Sequence, residues 1–366
     1  LANDRTNTAV ADSPTDARVN RPKDVADLRR SGTNASSIPA VQVNNLKVYY
    51  DSEAGIVKAV DDVSFTLQQG ERLALVGESG CGKTTLGMAL LKLTKPPGYI
   101  DDGEILIDGR DLVPLHDEEM RLARLAEVAL VTQSAMNALN PVMRIEDQIF
   151  DGLVDHGIKD TKENMRSHVH SLLRRVGLRD SVARMFPHEL SGGMKQRVAI
   201  ATGTSMNPKV IVADEPTSAL DVVVQRQVMM TLSRVQRDTG AAVILIGHDM
   251  GLVAQFADRI GVMYAGKLVD IGTVQEIIED PKHPYTKLLI NSVPDLEEKR
   301  ERLEGIPGIP PPLVDLPPGC VFAPRCPSVA DACQEITPRN TAVGESRWVM
   351  CHIFDETVEM AGNTVG

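Results

Sequence analysis

Eight residues, Gly77-Glu78-Ser79-Gly80-Cys81-Gly82-Lys83-Thr84, fit the pattern G-x-x-x-x-G-K-[ST] without adjustment. Their surroundings give the match its weight. Arg72-Leu73-Ala74-Leu75-Val76 before them reads as a buried strand, and Leu86 to Lys92 after them as a helix. A strand that turns through glycines into a helix points backbone N–H groups at one spot. The helix N-terminus adds its partial positive charge there, so the loop is built to cradle phosphate. Lys83 is expected to reach the β- and γ-phosphates of a nucleotide, and the Thr84 hydroxyl to ligate Mg²⁺. Gly77, Ser79, Gly80, Cys81, Gly82 and Thr85 complete the expected cradle.

A second apolar strand, Val210 to Ala213, runs into two carboxylates, Asp214 and Glu215. They fall at a carboxyl edge, where ligands sit in open α/β sheets. Asp214 is expected to hold Mg²⁺ through its water shell, and Glu215 to polarise a water attacking the γ-phosphate. A third buried strand reads at 242–246, with a helix at 221–238 between them. Further helices read at 115–127, 161–177 and 273–279. Alternating strands and helices around apolar strands imply a parallel α/β sheet. Val41 to Val43 and Val63 to Leu67 alternate polar and apolar, and Glu104 to Gly109 reads as a strand and turn. These earlier segments form an N-terminal antiparallel β portion.

The chain has 366 residues and is 42% hydrophobic, enough for a sizeable core. Its formal net charge is -11 and only 3% of residues are aromatic. That combination argues against nucleic acid as a partner. No run of 18 apolar residues spans a membrane, and no signal-peptide pattern opens the chain, so a cytosolic location is expected. Residues 1–38 are polar without an apolar period and read as a disordered tail. A nucleotide-binding domain is expected over 39–272, a helical extension over 273–305, and a Pro-rich linker with a cysteine tail over 306–366.

Leu190-Ser191-Gly192-Gly193-Met194-Lys195-Gln196-Arg197 supplies a second serine and glycine start to a helix. One chain has no use for two such anion sites on one nucleotide. The octet resembles the ABC signature, which defines one class of ATPases. The resemblance implies a P-loop ABC-type nucleotide-binding domain with a helical insertion at about 134–190. It implies that Ser191, Gly192 and Gly193 close over ATP held by a second subunit. Gln133 resembles the Q-loop glutamine, which touches Mg²⁺ and the attacking water. Ser218-Ala219-Leu220-Asp221 resembles the D-loop, so Asp221 faces the partner's nucleotide. His248 resembles the switch histidine that contacts the γ-phosphate, although Gly247 stands where the family usually has Thr. Tyr50 lies where ABC proteins stack an aromatic ring on adenine, with Tyr49 beside it. The implied catalytic set is Glu215, His248, Gln133 and Lys83.

Asn140-Pro141, Pro187-His188, His283-Pro284-Tyr285-Thr286 and the cysteine-rich tail resemble peptide-importer ATPases. The resemblance implies ATP and Mg²⁺ as cofactors, and import of di- or oligopeptides. Related importers carry oligosaccharides or nickel complexes, and a soluble, non-transport ABC ATPase is the other alternative. Implied partners are a second ABC ATPase subunit, taken as a paralogue, two transmembrane permease subunits and an extracytoplasmic solute-binding protein. The chain would sit peripherally on the cytoplasmic face of the membrane. Met136, Leu139 and Met143 are expected to contact a permease, with Ile145 and Ile149 turned inward.

Four of the five cysteines fall in the tail, spaced C-x₅-C-x₆-C-x₁₇-C at Cys320, Cys326, Cys333 and Cys351. Paired C-x₂-C zinc spacing is absent. Some members of the resembled subfamily carry a [4Fe–4S] cluster here, with zinc and free thiols as the alternatives. The six prolines between Ile306 and Gly319 predict an extended linker ahead of a small metal-ordered appendage with little core of its own. All nucleotide motifs precede residue 250, so the tail is expected to be dispensable for hydrolysis.

Overall fold

The computed structural model describes residues 38–132, 138–218, 220–292 and 305–357. The expected disordered tail, apart from Ile38, and Gln133 and Met136 lie outside the described residues.

Twelve strands and ten α-helices are described. The strands are β1 (Val41–Ser52), β2 (Gly55–Leu67), β3 (Arg72–Val76), β4 (Gly98–Ile107), β5 (Arg110–Asp111) and β6 (Val128–Thr132), then β7 (Val210–Asp214), β8 (Ala242–Ile246), β9 (Arg259–Tyr264), β10 (Lys267–Thr273), β11 (Asn340–Ala342) and β12 (Trp348–Met350). The helices are α1 (Lys83–Leu90), α2 (Asp117–Ala123), α3 (Ile145–Asp155), α4 (Lys162–Arg175) and α5 (Gly192–Gly203), then α6 (Val222–Thr239), α7 (Met250–Phe256), α8 (Val274–Glu279), α9 (Pro284–Asn291) and α10 (Ala332–Glu335).

One sheet is antiparallel and four-stranded, ordered β2-β1-β4-β5. Its strands alternate buried and exposed residues, as expected of a sheet with one face on the core. The other has eight strands, ordered β11-β12-β10-β9-β3-β8-β7-β6. β9, β3, β8, β7 and β6 pair in parallel, and β7 and β8 are buried at every position. Parallel strands covered on both faces are apolar throughout for that reason. This is the expected α/β architecture with an antiparallel β portion.

Two expectations change. The helix read at 115–127 ends at Ala123. Arg124 is extended, its guanidinium donating to the Leu91 and Lys92 carbonyls, and Leu125 takes φ +67°. The tail, read as a linked appendage, instead completes the main sheet. β12 pairs with β10, and Phe322, fully buried, packs at 5.1 Å on Tyr264 and 5.4 Å on Tyr285. Val321, Phe322 and Ala323 belong to the same apolar core as the parallel strands. The core that the tail lacks in its own sequence is supplied by β9, β10 and α9. Ile145 and Ile149 are buried as expected, but so is Leu139, while Val142 is 79% exposed.

Candidate nucleotide site

β3 delivers the phosphate loop at the carboxyl edge of the parallel sheet, and α1 leaves from it. Two glycines shape the turn. Gly77 has φ +144°, and a Cβ there would lie 2.2 Å from the Met263 carbonyl oxygen. Gly82 has φ +105°, and a Cβ there would lie 2.0 Å from the Ala59 carbonyl oxygen. Only glycine fits either place, and the close backbone approach leaves the concave side of the loop to a ligand.

Lys83 is buried, and its ammonium donates to the carbonyls of Gly77 at 2.8 Å and Glu78 at 2.9 Å. Cys81 is buried, its Sγ 3.5 Å from the Lys83 Nζ. Burial pushes the thiol up despite the nearby ammonium.

Thr84 and Asp214, 130 residues apart in sequence, meet here: the Thr84 hydroxyl donates to Asp214 Oδ1 at 3.1 Å. Burial raises the Asp214 carboxyl above its usual range. The Thr84 hydrogen bond and Lys83 oppose that shift, and Glu215 adds to it. A buried carboxylate beside a hydroxyl and a second carboxylate suits a hard divalent cation with oxygen ligands.

Glu215 has φ +45°, a left-handed conformation rare for a side-chain-bearing residue. Its N–H donates to the Ile246 carbonyl at 2.9 Å, and the Ser218 hydroxyl donates to its carbonyl at 2.9 Å. These bonds fix the strained turn, which sets the carboxylate beside the His248 ring, Oε1 to Nδ1 3.7 Å. His248 also lines a cavity of about 400 Å³ with Gly77, Asp249 and Leu289. Lys83, Thr84, Asp214, Glu215 and His248 are thus gathered at one sheet edge.

Of the two tyrosines before the loop, Tyr49 is buried and donates its hydroxyl to Asp61 at 2.7 Å. Tyr50 is half-buried, and its ring fills the space that a Cβ on Gly98 would need.

Ser191 caps α5, accepting from Met194 N–H at 3.4 Å, and is exposed. Asp221 caps α6 by accepting from Val224 N–H at 3.0 Å, and is also exposed. Gly193 is buried, and a Cβ there would meet Val224 Cγ1 at 2.5 Å. Its lack of a side chain is explained within the chain, by the packing of α5 on α6. Ser191 and Gly192 are the residues turned to the surface.

Sequence reading missed Glu78, Tyr285 and Arg325. The Glu78 N–H donates to the Tyr285 hydroxyl at 2.9 Å. Arg325 is nearly buried and pairs with both Glu78 carboxylate oxygens, at 2.7 and 3.1 Å. The tail, expected to be independent of the nucleotide motifs, touches the phosphate loop.

Cys320, Cys326, Cys333 and Cys351 line one pocket with His283, Phe322 and His352. Burial is the main cause that pushes Cys320 up to about 11 and Cys351 up to about 12, with the neighbouring thiols adding to both. Among the described residues no three His, Cys, Asp or Glu side chains gather closely enough to hold a single metal ion. The expected metal-binding tail therefore has its four thiols around one pocket without a ready single-ion ligand set, as zinc requires. No described helix is long and apolar enough to cross a membrane.

A family profile described as ABC transporter matches residues 60–218, and one described as Oligopeptide/dipeptide transporter, C-terminal region, matches residues 269–333. The chain is 44% identical over 324 residues to the dipeptide transport ATP-binding protein DppD of Bacillus subtilis (strain 168), covering 88% of this chain and 96% of that one. It is 45% identical over 289 residues to the oligopeptide transport ATP-binding protein OppD of the same organism, covering 78% and 80%. Among solved structures it resembles the dimeric, ADP- and Pi-bound ATP-binding cassette MJ0796, with TM-score 0.58 and 28% identity over 64% of this chain and 98% of that one. It also resembles cbiO1 of Clostridium perfringens, with TM-score 0.58 and 27% identity over 67% and 92%.

Proposed function

This chain belongs to the ABC transporter family, among the ATP-binding proteins of oligopeptide and dipeptide transport, and we propose that it hydrolyses ATP to drive import of small peptides. The observation that carries this reading is the gathering of Lys83, Thr84, Asp214, Glu215 and His248 at one sheet edge, joined in one chain to the oligopeptide/dipeptide C-terminal region.

Hydrolysis is in-line attack of water on the γ-phosphate, to which the protein contributes mainly positioning and charge. Loop N–H groups and Lys83 hold the β- and γ-phosphates, and Tyr50 stacks on adenine. Thr84, Asp214 and Gln133 would hold Mg²⁺, whose chemistry is to neutralise charge between the phosphates. Glu215 orients and polarises the water, and His248 senses the γ-phosphate. Ser191, Gly192 and Asp221 meet ATP held by a second ATPase subunit. Closure of that pair would move two permease subunits at the cytoplasmic face of the membrane, supplied with peptide by a solute-binding protein.

A carboxylate in the signature, as in Gly193→Asp, would oppose this cross-subunit closure by like-charge repulsion. The inward Gly193 makes that variant clash with Val224 in its own chain. Ser191→Glu is the cleaner change, placing a carboxylate against the partner's γ-phosphate. The isolated variant should bind ATP within about two-fold of wild type, while ATP-driven dimerisation falls about ten-fold or more, since a close like-charge contact near a protein surface costs at least this much. Loss of ATP affinity in the isolated chain would place the signature in cis.

We further infer that Cys320, Cys326, Cys333 and Cys351 hold a [4Fe–4S] cluster, a reading supported by four buried or half-buried thiols around one pocket. The cluster would offset the cost of gathering thiolates there. Anaerobically purified chain should be brown and carry about four iron and four sulfide. Colourless chain with stoichiometric zinc would overturn the cluster.

A further inference from the structure

The first residue after Gly77 in the phosphate loop is gripped from three directions. The Glu78 N–H donates to Tyr285, its carboxylate is clamped by Arg325, and its carbonyl accepts from Lys83. Two of the three partners come from the C-terminal third of the chain, 207 and 247 residues away. Arg325 is itself saturated. It donates Nε to the Pro307 carbonyl at 2.7 Å, Nη2 to the Ile306 carbonyl at 3.2 Å and Nη1 to the Tyr264 hydroxyl at 3.3 Å. The Tyr264 and Tyr285 rings lie 4.6 Å apart, with Phe322 against both. A guanidinium with this many fixed partners has little freedom, so the Glu78 carboxylate has one place to sit.

We propose that Arg325 and Tyr285 are positioning residues of the nucleotide site, which hold Glu78 so that the phosphate loop keeps its ATP-binding shape. Neither touches ATP in this account. Each acts through Glu78, whose own N–H is turned away to Tyr285, on a loop whose ligand-facing N–H groups must converge on phosphate oxygens. Arg325 directly precedes Cys326, and Phe322 lies between Cys320 and Cys326. The cysteine pocket is therefore joined to the Glu78 clamp by one short helical turn, Ala323–Arg325. The inference rests on the ATP reading but not on the cluster.

The test uses the assembled transporter with ATP as the probe. Tyr285→Phe removes one hydroxyl from a fully buried ring and leaves the packing intact. It should raise KM for ATP about ten-fold, the size of one lost hydrogen bond to a part-buried N–H, with kcat within about two-fold. Arg325→Gln should do the same, and Arg325→Lys should recover part of the loss by retaining the charge. Glu78→Gln combined with Arg325→Gln should cost no more than either alone, because both break one contact. A merely structural role would lower thermal stability and leave KM unchanged in folded protein. Wild-type KM in folded Tyr285→Phe would overturn the proposal even if the arginine variants do not fold. Absence of ATP hydrolysis by the wild-type assembly would instead overturn the nucleotide reading itself.

Discussion

Glu215→Gln should bind ATP as the wild type does and turn it over at least about a hundred-fold more slowly, the usual cost of losing a positioned general base. The side chain keeps its shape and loses only its negative charge and its ability to take a proton. The backbone argues that this position is set for function. Glu215 holds φ +45°, a conformation that costs on the order of 1–3 kcal/mol for a residue with a side chain. Hydrogen bonds to Ile246 and from Ser218 maintain it. A residue serving only to end β7 would need no such turn. Rates and nucleotide affinity of the assembled complex check the prediction, and wild-type turnover would remove Glu215 from its role.

Gly82→Ala should lower ATP affinity of the isolated chain about a hundred-fold or more, as several loop hydrogen bonds are lost together. The added methyl would sit 2.0 Å from the Ala59 carbonyl oxygen, which belongs to the fixed backbone of β2. The loop must move, and its N–H groups then no longer converge. Gly80→Ala separates clash from strain. Gly80 also has positive φ, at +80°, but nothing lies within 4 Å of its would-be Cβ. It should lose about ten-fold or less, the scale of backbone strain alone. Equal effects of the two substitutions, measured by calorimetry, would mean that the Ala59 contact does not shape the loop.

The placement of the candidate site was legible in sequence because its residues lie on short, ordered motifs. Strand ends and helix starts fix Lys83, Thr84, Asp214 and Glu215 to within a turn, and the structure brings Thr84 to Asp214 at 3.1 Å. What stayed hidden depends on long-range packing. Arg325 reads locally as one basic residue beside a cysteine, and only the fold carries it across 247 positions to Glu78. Gly193 reads as part of an anion-binding helix start, yet its place is set by Val224 on the neighbouring helix. β11 and β12 have three residues each, too few for alternation to show. β10 is buried on both faces, so it carries no polar period. Those strands are what turn a cysteine-rich tail into part of the main sheet.

The central claim is that ATP hydrolysis at this site drives peptide across a membrane. The most direct measurement is uptake of a labelled di- or oligopeptide by sealed vesicles containing the whole transporter, with ATP supplied on the side of this subunit. Uptake should require ATP, follow its hydrolysis, and fall with Glu215→Gln to the ATP-free level. Peptide accumulation that continues in that variant while hydrolysis is lost would contradict the account.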